Sequence, residues 1–159
     1  MGIVVSVNLS RKKGVPKHPI ERGILVANFG LKGDAHAGAG QRQVSLLMIE
    51  SIEEQRRVRH EGCESRGPTI ALSPGAYAEN ITTKGIDLLE LAVGDELRVG
   101  SSVRLRVTRI GKECHTRCAI FRRIGDCVMP RQGIFCEVLE GGTIEAGDRI
   151  ERSERSPSR

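Results

Sequence analysis

The chain has 159 residues, enough for one domain with a real core and too few for two. Its net charge is +5, with five cysteines, one Tyr, three Phe and no Trp. No apolar run approaches the roughly 20 residues that span a bilayer, and aromatic rings are too scarce for a single-strand stacking platform; membrane and nucleic-acid partners are therefore not expected.

The start, MGIVVSVNLSRKKG, has an apolar stretch too short for a signal h-region, with its charges after that stretch. Gly2 and Ser6 fit a loose myristoylation pattern, but the β-branched run at residues 2–7 reads better as a first buried strand. A soluble cytoplasmic protein with reduced thiols is the expectation, since an odd number of cysteines cannot pair completely within one chain. Positive charge comes in clusters: Arg11 to Lys17, Arg56 to Arg59, Arg122 to Arg131 and the tail. A solvated surface explains most of these, and an anion pocket is the alternative for those beside glycine-rich loops.

Residues 8–23 contain Pro16, Pro19, Gly14 and Gly23 and read as a loop. ILVANFG is a short strand ending at Gly30, LKGDAHAGAGQRQ a glycine-rich loop, and VSLLMI a strand. IESIEEQRRVRH predicts a helix, with Ser51 and Glu54 at capping-box spacing and Gly62 as its stop. Ser65 to Gly75 is irregular. The second half reads as β. Two strands flank Gly100-Ser101-Ser102, and Val103, Leu105 and Val107 alternate with Arg104, Arg106 and Thr108. GIFCEVLEGG and TIEAGDRIE form a further strand pair. Gly-Asp recurs in LAVGDELRV and IEAGDRIER, each time as a turn launching a strand. The whole predicts a mainly β protein, a β-barrel with a few short helices, forming a single domain over residues 1–152 with a frayed tail at 153–159.

GKECHTRCAI, residues 111–120, concentrates the chemistry. Gly111 ends one strand, and TRCAIFRRIG reads as a short helix with Thr116 as N-cap. Cys114 then sits on the strand-to-helix turn, near unpaired N–H groups, Lys112, His115 and Arg117. Each of these favours thiolate, the reactive form. Cys118 lies about one turn into the helix. Structural zinc would need a second cysteine pair, and Cys127 and Cys136 are nine apart. Haem attachment needs the order Cys-x-x-Cys-His, which is absent. Inert buried thiols and a functional thiolate remain open from spacing alone.

GDAHAGAGQRQVSLL, AENITTKGIDL, VGDELRVG, GKECHTRCAI, GDCVMPRQGIFCEVLEGG and GDRI occur in that order along nearly the whole chain. Together they resemble a stand-alone bacterial MOSC domain, the family named for the C-terminal domain of molybdenum cofactor sulfurases. The resemblance implies a MOSC-type β-barrel and a cysteine that carries sulfur, or ligates molybdenum, in members that handle the molybdopterin cofactor. Cys114 best matches that cysteine; Cys118, from the variant pattern Cys-His-x-x-Cys, competes with it. The chain has no room for the pyridoxal-phosphate domain of full sulfurases, so it would bind no PLP itself and would depend on a separate PLP-dependent cysteine desulfurase as sulfur donor. It also lacks the extra N-terminal region of the molybdenum-dependent amidoxime reductases.

Four further residues are candidate ligand contacts. His36 in GDAHAG is a pocket acid, base or ligand, or a plain loop residue. Arg42 could hold a phosphate bidentately, and Arg131 in MPRQG could contact an anion; the alternative for both is the surface. Asn80 in AENITT could read a polar ligand edge or bond its own turn. Cys63 and Cys136 read as structural. Three functions follow: a sulfur carrier using Cys114, Cys118 and His115 for delivery to a metal or small-molecule acceptor; a non-catalytic module binding molybdenum or another metal through Cys114, Cys118 and His36; and an interaction domain with inert thiols.

Overall fold

A computed structural model describes residues 1–12, 15–38, 40, 43–54, 74–110 and 133–153. The strands are β1 (Gly2–Leu9), β2 (His18–Ile20), β3 (Arg22–Val26), β4 (Gly30–Leu31), β5 (Val44–Met48), β6 (Ile81–Lys84), β7 (Glu96–Val99), β8 (Val103–Ile110), β9 (Ile134–Glu140), β10 (Gly142–Glu145) and β11 (Arg149–Arg152). Helix among the described residues is confined to positions 49–54 and a 3-10 turn at Leu88–Glu90, which Asp87 caps through its side chain. None of it is long and apolar enough to cross a membrane.

Among the described residues the strands pair in the order β11-β7-β8-β9-β5-β6-β1-β2, and β11 also pairs with β1. That last pairing, Gly2 with Ile150 and Ile3 with Arg149, closes a seven-stranded barrel and leaves β2 outside it. β5 and β6 are parallel and the other neighbours antiparallel. A second sheet, β10-β3-β4, packs beside the barrel, with Leu25, Leu31 and Ile144 joining its core. The mainly β barrel expected from the turn and strand spacing is thus the architecture observed.

Alternation on β8 shows why the barrel holds. Val103, Leu105 and Val107 are buried, while Arg104 faces outward to Glu96 and Glu140 and Arg106 to Glu137. Burying one such Leu or Val contributes about 1.5–3 kcal/mol, whereas an exposed ion pair contributes about 0–1 kcal/mol. The inner face therefore sets register and stability, and the arginines mainly keep the outer face solvated. The two Gly-Asp turns are built alike: Gly94 and Gly147 adopt φ +97° and +96°, and the aspartate after each accepts the N–H three residues back, Ala92 to Asp95 at 2.9 Å and Glu145 to Asp148 at 2.9 Å.

The structure departs from the sequence reading in several places. The expected loop at 8–23 contains β2 and the start of β3. Pro19 is accommodated because, among the described residues, β2 pairs only with β1, so its missing N–H leaves no ladder gap. ILVANFG is not one strand: it breaks at 27–29, where Asn28 has φ +52°, and resumes at β4. The segments GIFCEVLEGG and TIEAGDRIE do not pair with each other. Both sides of β9 are taken by β8 and β5, so β10 pairs with β3, and β11 with β7 and β1. Ser51 lies inside the helical stretch, not at its cap, and its buried hydroxyl has no hydrogen-bond partner among the described residues. The rest of that helix and the short helix at 116–125 lie outside the described residues.

Candidate functional site

Three strand ends meet at one place on the barrel. Ser10 follows β1, Ser45 lies at the start of β5, and Asn80 leads into β6. Asn80 ties them together: its Oδ1 accepts from the Ser45 N–H at 3.0 Å and hydroxyl at 3.2 Å, and its Nδ2 donates to the Asn8 carbonyl at 3.3 Å. The Asn8 N–H donates to the Asn80 carbonyl at 2.7 Å. This junction receives the loop that carries GDAHAG.

Asp34, from that loop, is the centre of the cluster. Its Oδ1 accepts from the Ser10 N–H at 3.0 Å, and its Oδ2 from the His36 N–H at 3.2 Å. The Lys17 ammonium donates to both carboxylate oxygens, each at 2.7 Å, and to His36 Nδ1 at 3.0 Å. Both charged side chains are fully buried, while the His36 side chain keeps 32% of its surface exposed. Burial alone would raise the Asp34 pKa, but the Lys17 and Ser10 hydrogen bonds, the Lys17 charge and the Asn80 amide outweigh it and hold the carboxyl below its usual range. Asp34 is therefore a carboxylate, and the loop is locked by an ion pair sealed from water.

Lys17 is held from behind by Gly75. The Lys17 N–H donates to the Gly75 carbonyl at 2.8 Å, Gly75 has φ +90°, and a Cβ there would overlap the Lys17 carbonyl. Only glycine allows that approach. The same loop buries Glu79. A directed chain of hydrogen bonds runs from the Ser6 hydroxyl to Asn8 Oδ1 (2.7 Å), from Asn8 Nδ2 to Thr82 Oγ1 (3.0 Å) and from the Thr82 hydroxyl to Glu79 Oε2 (2.8 Å). Burial nevertheless pushes the Glu79 carboxyl above its usual range, against the donors from Thr82 and the backbone.

Of the residues singled out in the sequence, His36 and Asn80 come together through Asp34: one half-exposed, the other buried with its amide engaged by the protein. Cys114, His115, Cys118, Arg42 and Arg131 lie outside the described residues, as do Cys63 and Cys127. The stem of segment 111–132 is described. It leaves from Ile110 and returns at Ile134, which pair with each other; the next residue, Phe135, pairs with Ser45, the residue that Asn80 holds. Cys136 is buried within β9, and burial together with the neighbouring Glu137 charge pushes its thiol far up, as suits a structural cysteine.

Lys17 was hidden in the sequence. Its cluster, Arg11 to Lys17, suggests a solvated surface, and Arg11 and Lys12 are indeed exposed, but Lys17 is buried. The only local sign is its company: Lys17 stands among Val15, Pro16 and Pro19, apart from the preceding basic run. Gln43 was also missed. It pins the end of the glycine-rich loop by donating to Asn28 Oδ1 and the Gly40 carbonyl and accepting from the Val138 N–H.

The MOSC domain family matches residues 33–151, from the GDAHAG loop into β11. The chain belongs to the MOSC family. Solved structures share the fold of this MOSC protein across almost its whole length. YuaD from Bacillus subtilis has a TM-score of 0.74 at 18% identity, over 97% of each chain. YiiM from Escherichia coli has 0.69 at 19% identity, over 99% of this chain and 72% of that one. YiiM from Geobacillus stearothermophilus has 0.68 at 20%, over 98% and 76%. No curated protein matches the sequence. β1 to β4 precede the matched residues, yet β1 is the strand that closes this MOSC barrel.

Proposed function

We propose that this MOSC protein carries sulfane sulfur as a persulfide on Cys114 and delivers it to a metal-sulfur or pterin acceptor held at the Asp34–His36 end of the barrel. The observation that carries this reading is the family match itself, which spans the GDAHAG loop, the AENITT loop and the Cys-His-x-x-Cys segment together. In the proposed reaction the Cys114 thiolate attacks the terminal sulfur of a persulfide on a PLP-dependent cysteine desulfurase, whose own cysteine leaves as thiolate. Lys112, His115 and Arg117 favour the attacking thiolate. The Cys118 thiolate then attacks the inner sulfur of the Cys114 persulfide. Sulfide is released, its sulfur having gained two electrons, and a Cys114–Cys118 disulfide forms, to be reset by a cellular dithiol.

The fit of a molybdopterin acceptor is partial. His36 is half-exposed, and no described residue comes within 4 Å of where a side chain would start at Gly38 or Gly40, which leaves room among the described residues for a ligand group. Arg42 and Arg131 are the proposed contacts for its phosphate, while Asn80 acts from behind by holding Asp34. Among the described residues no three His, Cys, Asp or Glu side chains gather to hold a metal ion; Cys114 and Cys118 are the proposed thiolate ligands. A bound cofactor would supply a metal able to accept sulfide.

Intact-protein mass after incubation with a cysteine desulfurase and cysteine tests the reading. One added sulfur atom is expected on the parent, none on Cys114→Ser, and a longer-lived adduct on Cys118→Ser. Loading lost in Cys118→Ser but kept in Cys114→Ser would reverse the two roles. Loading on neither the parent nor any variant would favour the metal-binding module.

A further inference from the structure

We infer that Lys17 is a positioning residue which, with Asp34, holds His36 as the neutral imidazole protonated on Nε2, so that His36 donates a hydrogen bond to an acceptor atom of the ligand and does not ligate a metal. The inference rests on the ligand lying at the Asp34–His36 end of the barrel, and it is independent of the sulfur chemistry.

Two arrangements of an aspartate, a lysine and a histidine are chemically sensible, and they have opposite consequences. If the carboxylate held the ring, Nδ1 would carry the proton and Nε2 would present a lone pair to a metal or a proton. If the ammonium holds the ring, Nδ1 must be the acceptor, because an ammonium has donors only. The distances decide between them. Asp34 Oδ2 is 3.9 Å from His36 Nδ1, beyond hydrogen-bond reach, whereas Lys17 Nζ is 3.0 Å from it. Lys17 stays an ammonium because both oxygens of a buried carboxylate lie 2.7 Å from it.

The Nδ1 lone pair therefore points at an N–H, and the ring proton of the neutral imidazole sits on Nε2. Metal ligation through Nε2 would require that proton to move to Nδ1, where it would face an N–H of the buried ammonium. The device cannot relax easily. Asp34 also holds the His36 backbone N–H at 3.2 Å and the Ser10 N–H at 3.0 Å, and Gly75 fixes the Lys17 backbone. The ligand class this favours bears an acceptor atom where it meets His36: an anionic oxygen of a phosphate or oxoanion, or a carbonyl.

The test is long-range nitrogen-15 NMR of histidine-labelled protein, reduced and near neutral pH, which distinguishes the two tautomers and the imidazolium. The parent and the conservative Lys17→Arg variant should show His36 as the Nε2–H form. Lys17→Met should lose that single tautomer. Inorganic phosphate should shift the Nε2–H signal, and added zinc should leave the proton in place. An Nδ1–H ring or an imidazolium in the parent would overturn the inference. So would an unchanged tautomer in Lys17→Met, zinc displacing the Nε2 proton, or phosphate without effect. If Lys17→Met does not fold, the parent and Lys17→Arg spectra still decide the question. Failure of persulfide loading alongside the Nε2–H tautomer would remove the sulfur-carrier reading alone.

Discussion

Replacing Lys17 by Met removes the cation from a fully buried pair while nearly preserving side-chain volume. Removing one partner of such a pair costs about 3–5 kcal/mol, because the other charge is left uncompensated. Asp34 would still accept from the Ser10 and His36 N–H groups, so the low end, about 3 kcal/mol, is expected. For a chain of this size that is a fall in Tm of roughly 6–12 °C. The loss should also depend on pH. In the parent, the Asp34 pKa is held below its unfolded value, so its stabilisation is full above about pH 4 and fades only as pH falls through the folded pKa. Without Lys17, burial dominates and raises the Asp34 pKa above the unfolded value, so the variant regains stability as pH falls towards 4 and the folded carboxyl takes up its proton. Urea titrations of both proteins under reducing conditions, near pH 7 and near pH 4, measure the difference. It should be large at the higher pH and small at the lower. Adding Asp34→Asn to Lys17→Met should restore most of the loss, since no charge then remains buried. A loss below about 1 kcal/mol, within the range of an exposed pair, or one that does not vary with pH, would refute the buried-pair account.

Glu79→Gln should flatten the pH dependence of stability. The parent carboxyl has its pKa raised by burial, so the folded state binds more protons than the unfolded one above about pH 4.5, and parent stability declines as pH rises through that window. Urea midpoints across a pH series should favour the Gln variant increasingly from that point, and parallel curves would count against a buried ionisable Glu79. Among the five cysteines, Cys114 should alkylate first near neutral pH and Cys136 last, since its thiol is buried and its pKa raised. Peptide mass spectrometry after limited alkylation gives the order, and early labelling of Cys136 in native protein would contradict its place in the core.

Local patterns determined much of this protein. Alternation along residues 103–108 marked the two faces of β8, the run at 2–7 marked β1, and the Gly-Asp pairs marked turns, because a side chain in a strand or a residue at positive φ answers mainly to its immediate neighbours. The ordered motifs determined the family. Other features were decided only in three dimensions. Closure of the barrel depends on Gly2 meeting Ile150, and no local pattern encodes a pairing between opposite ends of a chain. Pro19 could enter β2 because no described strand pairs on that strand's outer side. Lys17 looks like any surface lysine in sequence. Its burial was decided by a carboxylate from a loop seventeen residues later and by the absent side chain of Gly75, for a charge can leave water only where the fold has already assembled its partners.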